Sequence, residues 1–114
     1  MSNEVDYFEI GTRDAEGSRS FYRDLFGWEI ASEPSESGYR MVNGDQGGLW
    51  DTSSTGGAAW AIFYVHVDDV AETVQRAESL GAEVAIPVTS GGGIEFAHLN
   101  DPQGNRFGVW RPTS

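Results

Sequence analysis

The chain predicts an α+β fold of two tandem βαβββ modules, and three features of the sequence carry that prediction. Short runs rich in β-branched and aromatic residues, bounded by Gly, Asn, Asp and Ser, read as strands. Two longer stretches place apolar residues at helical spacing, each opened by an Asp and closed by a Gly. The two stretches stand 54 residues apart, Asp14 to Gly27 echoed by Asp68 to Gly81, so one plan is written twice.

Taken in order, Val5 to Ile10 forms the first strand. Asp14 sits at the N-cap of a helix, where its carboxylate can accept free backbone N–H groups. Phe21, Tyr22, Leu25 and Phe26 recur at helical spacing, and Phe21, Tyr22 and Phe26 are expected on the core side of that helix. Gly27 supplies the left-handed residue that ends it. Trp28 to Ala31, Tyr39 to Val42 and Gly48 to Trp50 are three further strand candidates. In the second half, Trp60 to Val67 is a strand, Asp68 or Asp69 caps a helix carrying Val70, Val74 and Ala77, and Leu80-Gly81 closes it. Val84 to Val88, Ile94 to Leu99 and Phe107 to Trp110 complete the set. Thr52 to Ala59 reads as a Ser/Thr/Gly-rich linker between modules 1–52 and 59–114 of a single domain, and Gly91 to Gly93 as a hairpin tip or loop.

Composition narrows the chemistry. At 114 residues the chain has room for one modest core, and its 39% hydrophobic content, with four Trp, six Phe and four Tyr, is enough to build one. All seven basic residues are Arg, against eighteen Asp and Glu, for a formal charge of −11. A basic stripe for nucleic acid is absent, and without Lys there is neither a Schiff base nor a P-loop lysine. Without Cys there is no disulfide, thiolate nucleophile or Cys-ligated zinc. No apolar run of about twenty residues and no basic-then-apolar N-terminus is found, so the expectation is a cytoplasmic protein that meets no membrane. Gly91-Gly92-Gly93 lacks the strand-before, helix-after context of a dinucleotide fingerprint, and no Gly-x-Ser-x-Gly elbow occurs.

The duplicated βαβββ unit, with Phe21-Tyr22 and Leu25-Phe26-Gly27-Trp28 in the first helix, resembles the vicinal oxygen chelate superfamily of glyoxalases, extradiol dioxygenases, fosfomycin-resistance enzymes and bleomycin-binding proteins. Val67-Asp68-Asp69-Val70, Ala77-Glu78-Ser79-Leu80-Gly81-Ala82 and Asp101-Pro102-Gln103-Gly104-Asn105-Arg106-Phe107 extend the likeness over nearly the whole chain. The resemblance implies curved mixed sheets around a cavity, a homodimer, and, in metal-bearing members, His or Glu ligands on the first and last strands of each module. Those positions fall here on Tyr7, on Gly48 or Leu49, on Ile62 and on Gly108, which offer no usual ligand. A divalent metal is therefore not expected; a shift in alignment would bring Glu9, Tyr64 and His66 close to two of the positions, with His98 as a further donor.

Alternation along strands assigns the candidate cavity. Ile62, Tyr64 and His66 share one face, with Phe63, Val65 and Val67 beneath the helix. Tyr7 and Glu9 share a face, as do Arg106, Gly108 and Trp110. The predicted cup is lined by Tyr7, Ile62, Tyr64 and Trp110, with Glu9, His66 and Arg106 as polar members, a composition suited to a small organic molecule. Each has a structural alternative: the Trp residues as core or interface, Glu9 and Arg106 as an ion pair, His66 as a strand-end residue, and His98 as solvated. The expected function is metal-free binding of a small molecule, neutral or cationic given the charge, for sequestration or sensing. The alternatives are a divalent-metal glyoxalase-like lyase, isomerase or dioxygenase, and a metal-free enzyme using Glu9 as base with Tyr7 or Tyr64 as proton donor.

Overall fold

The computed structural model describes residues 3–35 and 38–113. Its elements run β1 (Glu4–Thr12), α1 (Ala15–Phe26), β2 (Tyr39–Val42), β3 (Gly47–Asp51), β4 (Trp60–His66), α2 (Val70–Ser79), β5 (Glu83–Gly91), β6 (Ile94–Asn100) and β7 (Arg106–Pro112). The fold is α+β, and the chain divides into two compact units. One is Tyr7–Ala61; the other runs from Ile62 onward and takes in the start of β1 up to Asp6.

Both units use one strand order. In the first, β1 pairs parallel with β3, which pairs antiparallel with β2. In the second, β4 pairs parallel with β7, then β6 and β5 follow antiparallel. The counterpart of β5 in the first unit should be the predicted strand Trp28 to Ala31. That stretch forms only a single bridge, Ile30 to Val42. Two backbone bonds flank that bridge, from the Asn43 N–H to the Glu29 carbonyl at 2.6 Å and from the Ala31 N–H to the Met41 carbonyl at 3.2 Å, and side chains extend them: Asn43 Oδ1 accepts from the Glu29 N–H at 2.9 Å, and the Arg40 guanidinium donates to the Ala31 and Ser32 carbonyls at 3.0 and 2.6 Å.

The helix ends follow from their caps. Asp14 accepts from the Gly17 N–H at 2.9 Å, and Gly27, at φ 72°, returns its N–H to the Arg23 carbonyl at 2.8 Å. In the second helix the cap is Asp69, not Asp68: its carboxylate accepts from the Glu72 N–H at 3.0 Å. Between β5 and β6, Gly92 and Gly93 both have positive φ, as a two-residue hairpin of the primed type requires.

The strands of each unit bury one face against that unit's helix. In the first unit Ala15, Ile30, Val42 and Leu49 form the core, with Phe8, Ile10, Tyr22 and Trp28 packed on it. In the second the core is Val67, Val70, Val74, Ala97, Leu99 and Val109, with Val65, Ala77 and Phe107 against it. Three aromatic assignments are corrected. Phe21 and Phe26 are 57% and 59% exposed. Phe21 projects about 100° round the helix from Tyr22, and Phe26, in the last position of α1, stacks on Tyr22 and lies tilted against Trp28 instead of entering the core. Phe63 is also exposed, and its ring stacks on Phe107. The Ser/Thr/Gly linker is tied down as well. Thr52 is buried, its hydroxyl donates to the Ala58 carbonyl at 2.6 Å, and its own carbonyl accepts from Gly57. Among the described residues no helix is long and apolar enough to cross a membrane.

Candidate functional site

The sheet face turned away from each core carries the predicted site residues. In the first unit, Tyr7, Glu9 and Gly11 on β1 point opposite to Phe8 and Ile10, beside Tyr39 and Met41 on β2 and Gly48 and Trp50 on β3. Glu9 is only 2% exposed, and both of its oxygens are engaged. Oε1 accepts from the Tyr39 hydroxyl at 3.2 Å and Oε2 from the Trp60 indole N–H at 2.9 Å. The Tyr39 and Tyr7 hydroxyls lie 2.8 Å apart, and Tyr7 also donates to Met41 Sδ at 3.7 Å. Burial pushes the Tyr7 phenol up to about 12, so it stays protonated and gives up its proton reluctantly.

Glycine makes this packing possible. A Cβ at Gly48 would fall on the Tyr39 hydroxyl, and one at Gly11 on the Trp60 ring. The residues expected to be ligand-poor are therefore occupied: the space beside Gly48 belongs to Tyr39. A groove of about 510 Å³ opens beside the end of α1, walled by Arg19, Arg23, Trp28, Ile30 and Met41. None of the predicted site residues lines it.

In the second unit the same face carries Ile62, Tyr64 and His66 on β4, Phe96 and His98 on β6, and Arg106, Gly108 and Trp110 on β7. Gly108 is paired with Tyr64 on one side and His98 on the other. With no side chain between them, the Tyr64 hydroxyl reaches His98 Nε2 at 2.6 Å, and the Tyr64 ring covers the place of a Gly108 Cβ. His98 is fully buried, which overturns its assignment as a solvated strand residue. The cause is its register opposite a glycine, which draws a tyrosine across it. Ile62 is buried, and Arg106 is half-buried at the start of β7 opposite Asn100.

At the next register position His66 faces Trp110, and their rings stack at 4.8 Å and 26°. Asp6 joins them: Oδ2 lies 3.2 Å from His66 Nδ1, and Oδ1 accepts the Trp110 indole N–H at 2.9 Å. The structure thus groups Tyr7 with Glu9 in one unit, and Tyr64, His66 and Trp110 with their partners in the other. Sequence reasoning missed Asp6, Tyr39 and Trp60 as polar partners. Asp6 lies next to Tyr7 and so points to the opposite side of an ideal strand, and alternation by itself sets it aside. Tyr39 is brought to Glu9 by register, paired with Trp50 beside the glycine at 48.

The family model described as "Glyoxalase-like domain" matches residues 7–110. The anthracycline biosynthesis protein DnrV of Streptomyces peucetius is 28% identical over 92% of this chain and 46% of its own length. DauV of Streptomyces sp. (strain C5), also named for anthracycline biosynthesis, is 26% identical over the same shares. The chain thus spans about half the length of these curated relatives. Among solved structures, a Streptomyces coelicolor methylmalonyl-CoA epimerase variant in complex with 2-nitronate-propionyl-CoA superposes with a TM-score of 0.66 at 16% identity, covering 100% of both chains. The strand order, the helix caps and the match over residues 7–110 agree, and the chain belongs to the glyoxalase-like domain family of the vicinal oxygen chelate superfamily.

Proposed function

We propose that this glyoxalase-like chain binds a neutral or cationic aromatic small molecule without a metal ion, for sequestration or sensing. The observation that carries this reading is the pair Gly48 and Gly108. The resemblance implies His or Glu ligands there, and instead each glycine makes way for a tyrosine ring. Of the remaining donors, Tyr7 and Glu9 fit a metal poorly: the Tyr7 phenol resists the ionisation that a phenolate ligand requires, and both Glu9 oxygens already accept hydrogen bonds. Among the described residues no three His, Asp or Glu side chains converge.

The aromatic side chains beside His66 in the second unit favour a flat, apolar ligand, and the formal charge of −11 favours a cation over an anion. The names of DnrV and DauV, both tied to anthracycline biosynthesis, support a planar aromatic ligand of that kind. The same reading includes a homodimer, for which sedimentation equilibrium should return the mass of two chains.

The test is quenching of tryptophan fluorescence by an uncharged anthraquinone, a cationic anthracycline and an anionic naphthalenesulfonate. It is run in chelator and again after dialysis against nickel, zinc, iron and manganese. The expected result is saturable binding of the first two, unchanged by chelator. Retention of one tightly held ion that binding requires would move the chain to the metal-dependent lyase or dioxygenase reading, and no saturable binding of any dye would end the small-molecule reading.

A further inference from the structure

We infer that His66 is the proton acceptor for the bound ligand, and that the ligand is an aromatic molecule carrying an acidic hydroxyl. This rests on the small-molecule reading above and names a role and a substrate class within it. Asp6 is the key. A carboxylate only accepts hydrogen bonds, so the proton in its contact with His66 sits on Nδ1, and Nε2 is left with its lone pair. Asp6 is fixed in turn, because its second oxygen holds the Trp110 indole N–H at 2.9 Å.

Trp110 acts twice, since its ring stacks on the imidazole at 4.8 Å and holds the ring plane. When Nε2 takes a proton, the resulting imidazolium has the Asp6 carboxylate at its Nδ1 edge and the Trp110 indole against its face. The His66 and Asp6 side chains are 36% and 37% exposed, so a ligand can reach them. His98 differs on both counts, being fully buried with Nε2 on the Tyr64 hydroxyl. In the proposed step the ligand O–H bond breaks, an N–H bond forms at Nε2, and the electron pair stays on oxygen as a phenolate. No further reactant is needed.

The experiment uses 1,2-dihydroxyanthraquinone, whose absorbance moves to the red on ionisation, with the full chain at a pH where the free dye is neutral. The expected result is the phenolate spectrum for bound dye, and loss of the red shift at saturating protein in His66→Gln. Nitrogen chemical shifts of the dye-free protein should show the Nδ1–H tautomer of His66, converted to Nε2–H in Asp6→Ala. Dye that binds with a neutral spectrum, a red shift that survives His66→Gln, or an Nε2–H tautomer in the wild type would each overturn the inference and leave small-molecule binding standing. Failure of the dye to quench tryptophan fluorescence at all would overturn both.

Discussion

Gly108 lies between Tyr64 and His98, and its missing side chain is what lets the phenol and the imidazole meet. Gly108→Ala therefore forces a methyl group against the Tyr64 ring, an overpacking cost of about 1–3 kcal/mol that urea unfolding will register. Gly91→Ala is the control. It meets open space, and its effect should stay within about 0.5 kcal/mol. Tyr7 gives a pH signature. Its phenol ionises near 10 when unfolded and near 12 when folded, so the folded state holds its proton longer. This contribution to stability is intact below pH 10 and is lost as pH rises toward 12. Urea midpoints across that window should fall in the wild type and fall less in Tyr7→Phe.

At the scale of elements, the helix caps were legible in sequence because a cap is a local interaction: an Asp carboxylate and an N–H three residues on. Only the choice between Asp68 and Asp69 was left open, because both precede the apolar run, and the backbone turn decides which carboxylate meets Glu72. Asp69→Ala should cost about 1 kcal/mol of stability in denaturant unfolding, and Asp68→Ala should leave the cap intact. The strand at Trp28 to Ala31 was misread for the opposite reason. Its composition suits a strand, but it pairs at one bridge only, and the carbonyls of Ala31 and the adjoining Ser32 are taken by Arg40, nine and eight positions away. Sequence pattern does not report such a substitution of guanidinium for ladder.

At the scale of the whole molecule, eighteen acidic residues against seven arginines make self-repulsion a general term in stability. Added sodium chloride should raise the melting temperature through screening, measurable by scanning calorimetry at a constant pH. The Arg23–Asp24 ion pair does little to offset this expectation, because both side chains are exposed and such pairs contribute little.

The sequence by itself determined the α+β class, the repeat, both helices and most strands, because periodicity and capping act over a few residues. It also determined which strand faces carry Tyr7 with Glu9 and Tyr64 with His66, since alternation is a property of the extended backbone. Tertiary structure alone decided who meets whom on those faces. Tyr64 reaches His98 because the register places Gly108 between them, Asp6 finds His66 and Trp110 across 60 and 104 residues of chain, and Phe21 stays in water because of where α1 lies on its sheet. Each depends on strand register or helix placement, which are set by the packing of distant segments and leave no local trace.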